Sequence, residues 1–165
     1  MSATETRPDG PVPEEAGPIS SFIPIVARTH RTLALALLRD IGLSPGQELL
    51  LMQLWGQEPQ SQAELAEHMC VEPPTATKML GRMERSGVIA RERSTTDRRV
   101  TLVSLTDKGR DLREPVLRIW AELEQIAVGD FTDDERATLL GLLTRVVANV
   151  NRYTDSRPVA APEGA

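Results

Sequence analysis

The 165-residue sequence predicts a mainly α-helical protein with one small β-hairpin. Apolar residues recur near a helical period of about 3.6 over most of the chain. Hydroxyl residues with a Gln or Glu three positions on, at Ser44, Ser61 and Thr132, announce helix starts, as does Thr106 ahead of a further helical run. Only between Gly87 and Thr106 does the pattern change, where VIARERS and RVTLVSLT alternate or are β-branched around the polar tip TTDR.

In chain order, a first helix is expected from Ile19 to Leu38 through Phe22, Ile23, Val26, Ala27, Leu33 and Leu37, ended by Gly42. Ser44, Pro45 and Gln47 place a cap, a first-turn proline and a capping-box partner ahead of a second helix that runs to about Trp55. After the turn GQEPQ, Ser61 and Glu64 start a short third helix that stops near Cys70. Pro73 and Pro74 suit only the first positions of a fourth helix, which Gly87 closes.

Behind the hairpin, Thr106 caps a long fifth helix through Leu112, Val116, Ile119, Trp120, Leu123 and Ile126, with a kink at Pro115 and its end at Gly129. The last helix, ATLLGLLTRVVANV, is apolar around most of its circumference and needs a partner. The first and fifth helices also carry wide apolar faces, so packing the termini together across a twofold axis is the economical solution. The expected organisation is a disordered arm at residues 1–17, dimerisation helices at 18–43 and 107–152, a central domain at 44–106 and a flexible tail at 153–165. The arm and tail are rich in Pro, Gly and polar residues.

Composition narrows the function. No apolar run approaches the length of about 18 residues that a membrane span needs, and the N-terminal residues lack a basic start and an apolar core, so neither export nor membrane insertion is expected. One cysteine, Cys70, cannot form an internal disulfide, and with two histidines it cannot build a Cys-rich zinc cage; a reducing cytoplasm is expected, with no metal and no cofactor. No Ser/His/Asp or Cys/His set has a catalytic context and no Gly-rich phosphate loop is present, so an enzyme is not expected.

The net charge of -5 argues against coating nucleic acid by bulk charge, but its distribution argues otherwise. Residues 75–110 hold nine basic and four acidic residues, a local +5 that leaves -10 on the rest. In the fourth helix Thr75, Lys78, Arg82 and Arg85 share one face, opposite the apolar Ala76, Met79, Leu80 and Met83.

Two short helices joined by the turn Cys70-Val71-Glu72, the second basic on its outer face, make a helix-turn-helix, and the hairpin behind it is a wing. A helix of about 10 to 12 Å diameter fits a major groove about 12 Å wide. Thr75, Thr77, Lys78 and Arg82 are the expected major-groove readers: Arg suits guanine and threonine methyls meet thymine methyls, with Lys78 and Arg85 nearer to phosphates. At the wing tip Arg98 and Arg99 suit a narrow minor groove, with Asp97 fixing a guanidinium through a bidentate pair.

Bland roles are expected elsewhere. Arg91 and Arg93 read as solvated strand residues, Cys70 as a small buried turn residue and His68 as surface or turn packing. Trp55, Trp120, Met79 and Met83 read as core, with ligand stacking the second reading for the tryptophans. His30 is placed to face a ligand cleft.

The region from Ser44 to Gly109 resembles the MarR family of winged-helix repressors. DRRVTLVSLTDKG, Asp97 to Gly109, looks like that family's wing signature, and PPTATKMLGRMERSGVIARE looks like its recognition segment. With the flanking helices the likeness extends over about residues 19–152. The resemblance implies a homodimeric repressor on a pseudo-palindromic operator, released by a small phenolic or lipophilic ligand, with Arg99 as the minor-groove arginine and Asp97 as its buttress. The peroxide-sensing branch carries a cysteine near the start of its first helix, and this sequence has none there. The competing reading is a ligand-binding or protein-interaction module that keeps the fold without using DNA, in line with the acidic remainder.

Overall fold

Seven α-helices, one 3-10 turn (Arg39–Ile41) and three short strands lie within residues 17–156, the part that the computed structural model describes. They are α1 (Pro18–Leu38), α2 (Gln47–Gly56), β1 (Gln60–Ser61), α3 (Gln62–His68), α4 (Pro73–Arg85), β2 (Ile89–Arg93), β3 (Thr101–Leu105), α5 (Asp107–Asp111), α6 (Arg113–Val128) and α7 (Asp133–Ser156). The expected arm lies outside the described residues except for Gly17. The last helix continues to Ser156, past residue 153 where the tail was expected to begin, and residues 157–165 lie outside.

The chain divides into two units, one ending at Leu123 and the other beginning at Glu124. The core of the first is aliphatic: Leu38, Leu50, Leu51, Leu54, Leu65, Leu80, Met83, Ile89, Val103, Val116 and Leu123 are almost wholly buried. Removing such side chains from water is the main term holding α2, α3, α4 and the sheet together. In the second unit, Thr132 and Glu135 form the expected reciprocal cap at the start of α7, with the Thr132 N–H donating to Glu135 Oε2 at 2.8 Å. Leu140, Leu143, Val147, Val150 and Tyr153 of that helix are exposed.

Three expectations about elements are corrected. Ser44 does not cap α2, which starts at Gln47 behind Gly46; Gln47 Oε1 does accept the Ser44 N–H at 2.8 Å, so half of the expected box forms one turn early. The expected fifth helix is two, α5 and α6, broken at Leu112. Pro115 has no N–H to offer the Asp111 carbonyl and its ring crowds that oxygen, so the chain ends one helix at Asp111 and restarts. The turn GQEPQ also holds a strand: β1 pairs antiparallel with β3 (Gln60 opposite Val103, Ser61 opposite Leu102), making a sheet in the order β1-β3-β2.

The hairpin runs in register from Ile89 opposite Leu105 to Arg93 opposite Thr101. Its base is clamped to the preceding and following helices. Gly87 closes α4 with φ +73°, a conformation that a side chain strains, and the Thr106 hydroxyl donates to the Gly87 carbonyl at 2.7 Å. The Thr106 N–H donates to the Val88 carbonyl at 3.2 Å and Lys108 Nζ to the Ser86 carbonyl at 2.8 Å. Trp55 is half-buried, and its indole N–H reaches from α2 to the Gly109 carbonyl at 3.1 Å.

Gly109 itself is buried, and a Cβ built on it would stand 2.1 Å from the Val88 carbonyl oxygen. Ala normally favours a helix over Gly by about 1 kcal/mol. Gly109→Ala is expected to reverse that sign and destabilise by about 2 to 3 kcal/mol, because a backbone carbonyl cannot step aside. Gly81→Ala, where the nearest atom is the mobile end of Arg85, is expected to be neutral or stabilising in the same urea titration.

Candidate nucleic-acid interface

The candidate surface starts from the way α3 and α4 are anchored. Ser61 accepts the Glu64 N–H at 3.1 Å and Glu64 returns a bond to the Ser61 N–H at 2.7 Å, the capping box that the sequence predicts. Hydrogen bonding to the Ser61 backbone and hydroxyl holds the Glu64 carboxyl below the usual carboxylate range. The chain turns through Cys70, and Pro73 and Pro74 open α4 as expected.

On α4 the two stripes separate as the periodicity requires: Ala76, Met79, Leu80 and Met83 are buried, while Thr75, Thr77, Lys78, Arg82 and Arg85 are exposed. The Thr77 hydroxyl donates to the Pro73 carbonyl at 2.9 Å and accepts Gln62 Nε2 at 2.8 Å. Gln62 is a contact that the sequence reading missed, because it joins residues on two helices that periodicity treats separately.

The wing tip is organised by Ser94 and Asp97. Ser94 is buried, and its Oγ accepts the Thr96 and Asp97 N–H groups at 3.2 and 3.3 Å. The Asp97 carbonyl accepts the Val100 N–H at 2.9 Å, and Asp97 Oδ1 accepts the Arg99 N–H, also at 2.9 Å. Asp97 therefore supports Arg99 through its backbone. The expected bidentate pair with a guanidinium is not formed, because that carboxylate oxygen closes the turn instead. Ser94, also missed, had a signal in the sequence: a short hydroxyl residue three before an Asp at a loop tip.

Arg98 and Arg99 are exposed beside each other. Among the described residues the ion pairs join Arg91 to Glu84, Arg110 to Glu58 and Asp107, and Arg118 to Glu114. Lys78, Arg82, Arg85, Arg98 and Arg99 are in none of them. Recognition-helix cations and wing cations are thus left available for an external anion.

Arg91 and Arg93 are not simply solvated. Arg91 is half-buried and its Nε donates to Glu84 Oε2 at 3.0 Å, tying β2 to the last turn of α4. Arg93 Nη1 donates to the Arg98 carbonyl at 3.0 Å across the hairpin. Cys70 is exposed with φ +49°, since the sharp turn puts its backbone in the left-handed region and turns the side chain outward rather than into the core. His68 is exposed, as expected of a surface residue.

A cavity of about 370 Å³ lies behind the recognition helix, lined among others by His30, Arg31, Glu48, Met79, Thr75 and Trp120. The His30 and Trp120 rings stand 6.2 Å apart and tilted by 52°. Trp120 Nε1 is buried and has no hydrogen-bond partner among the described residues. Burial pushes the Glu48 carboxyl up, against its hydrogen bonds to its own backbone N–H and to the Gly46 N–H. Among the described residues no group of His, Cys, Asp and Glu could hold a metal ion, and no helix is long and apolar enough to cross a membrane.

Residues 43–101 match the model of the MarR family. Over 83 residues the chain is 37% identical to the organic hydroperoxide resistance transcriptional regulator of Bacillus subtilis (strain 168), which covers 50% of this chain and 56% of that protein. Over 76 residues it is 41% identical to the transcriptional repressor MdtR of the same organism, covering 46% and 49%. A mutant MarR from E. coli, solved in complex with operator DNA, is similar in structure with a TM-score of 0.73 at 27% identity, covering 78% of this chain and 93% of that one. The helix-turn-helix, β2 and the wing tip fall within the residues that the family model matches, and β3 begins where that match ends.

The Arg91 guanidinium holds the Glu84 carboxyl below the usual carboxylate range, so the folded value lies under the unfolded one. The contribution of this pair is therefore present in full above the unfolded carboxylate range and is lost as pH falls through the depressed value. Glu84→Gln is expected to lower the thermal midpoint near neutral pH, with a difference from wild type that shrinks on acidification; a difference that grows would exclude the pair as its source.

Proposed function

We infer that this chain, whose residues 43–101 match the MarR family model, is a DNA-binding transcriptional regulator of that family rather than an enzyme, and acts as a homodimeric repressor released by a small ligand. The observation that carries the reading is the coexistence of two cationic elements on one frame. α4 offers Lys78, Arg82 and Arg85 beside Thr75 and Thr77, and the wing tip offers Arg98 and Arg99. In this reading α4 enters the major groove, where Arg82 suits a guanine and Thr75 or Thr77 a thymine methyl, and Arg99 enters the adjacent minor groove. Asp97 serves by fixing the backbone from which Arg99 extends.

Two copies are required by the geometry of a palindrome, whose half-sites present successive major grooves roughly 34 Å apart. The exposed Ile19, Phe22, Ile23 and Val26 of α1, and Leu140, Leu143, Val147 and Val150 of α7, supply apolar surface for such an association. Residues 18–43 and 107–152 are accordingly assigned to dimerisation, and 44–106 to DNA binding.

The cavity behind α4 suits the effector. Its size is right for a small phenolic or lipophilic molecule, and the His30 and Trp120 rings are among its lining. Thr75 and Met79 of α4 line the same space, so a ligand there presses on the helix that reads DNA. Release then needs only a difference in ligand affinity between the DNA-bound and free arrangements.

The test is fluorescence anisotropy on the DNA upstream of the chain's own gene and on random duplex, from low to physiological salt, with stoichiometry read by sedimentation. Two chains per specific duplex are expected, with affinity falling steeply with salt. Arg99→Ala should weaken specific binding about tenfold while leaving the fold intact. Equal, weak and salt-insensitive binding to both duplexes would overturn the reading.

A further inference from the structure

The Thr77 hydroxyl is committed before any DNA arrives. It has one hydrogen, which goes to the Pro73 carbonyl at 2.9 Å, and its oxygen also accepts Gln62 Nε2 at 2.8 Å. A side chain held by two bonds on one oxygen cannot turn about χ1 without breaking both. With its only hydrogen used, Thr77 has no donor for a base edge. What it still offers is a fixed methyl group, on a residue exposed near the start of the recognition helix.

Gln62 is itself well placed to impose this. It is the first residue of α3, within the capping box that Ser61 and Glu64 form around it, so its backbone is anchored. The residue is half-buried, and its amide meets Thr77 on the exposed side of the two helices. It also lines a groove of about 470 Å³ with Pro73 and Ala76 of α4 and Arg99 and Thr101 of the wing. The bond from Gln62 to Thr77 therefore spans from α3 to the recognition helix on the side that faces the wing.

Among the four bases, only thymine presents a methyl group in the major groove, and apolar contact is how it is recognised. We propose that Gln62 is a specificity-determining positioning residue, whose amide locks Thr77 so that the Thr77 methyl reads a thymine methyl in each half-site. The proposal rests on the DNA-binding reading above and deepens it. It assigns the base preference of Thr77 to a residue outside the recognition helix.

The experiment uses the full chain and a duplex that the wild type enriches from a random-sequence pool. Each thymine in turn is replaced by deoxyuridine, which removes only the methyl group, and the affinity ratio of the two duplexes is measured within each protein so that overall changes in affinity cancel. For the wild type, one thymine per half-site is expected to give a ratio of about four, the factor for one buried methyl-sized group. Thr77→Ser, which keeps the hydroxyl, and Gln62→Met, which keeps the length without a donor, should both bring that ratio to about one and leave the other thymines unchanged. Gln62→Ala, scored the same way, replaces the Met variant should that one not fold.

If a thymine is silenced by Thr77→Ser but keeps its full ratio in the Gln62 variants, Gln62 does not position Thr77 and the proposal fails. If no thymine responds to Thr77→Ser, Thr77 reads no methyl and the proposal fails while the regulator reading stands. A wild type that enriches no duplex overturns both.

Discussion

Between the α-carbon of Gly109 and the carbonyl oxygen of Val88 there is room for a hydrogen and nothing larger. That approach seats α5 against the root of the hairpin, and the bonds around it share the same few residues. Thr106 caps α5 through the Gly109 N–H while its hydroxyl and N–H hold Gly87 and Val88; Lys108 holds Ser86; Trp55 holds Gly109 from α2. Ser86 and Gly87 end the recognition helix, and Val88 leads into the wing. One close packing point thus sets the angle between the two elements that carry the candidate DNA contacts, and the Arg91 to Glu84 pair braces the same angle farther along.

The charge of the chain acquires meaning on this frame. A net charge of -5 would repel a polyanion, yet the cations of α4 and the wing tip are excluded from the ion pairs of the described residues, while Arg91, Arg110 and Arg118 are consumed in them. Cations that brace the fold and cations that face outward are different residues, although Arg91 and Arg110 lie within the same basic segment as the outward ones. An acidic remainder then helps orientation, since only one face of the unit attracts phosphate.

Much of this was legible in the sequence for a physical reason. Helix periodicity, capping boxes and prolines at helix starts are local, so α1, α3, α4 and α7 and the hairpin could be placed from their own residues, and the exposed stripe of α4 followed from the angle per residue. What escaped was set by partners distant in the chain. β1 exists because β3 has an edge to pair with; Arg91 is held by Glu84 and Thr77 by Gln62, neither of which periodicity brings together. Cys70 read as a buried small residue because the backbone angle that turns it outward is not written in its composition. Pro115 pointed to a kink, and the structure places the interruption three residues earlier, at Leu112, where α5 gives way to α6.

Whether the wing and the recognition helix engage adjacent grooves together is read by hydroxyl-radical footprinting of the wild type and Arg99→Ala on a wild-type-selected duplex. Protection of minor-groove sugars flanking each major-groove half-site is expected, with the Arg99 variant losing that flanking protection while the protein still covers the half-sites. Flanking sugars that are unprotected in the wild type, or equally protected in the variant, would contradict it.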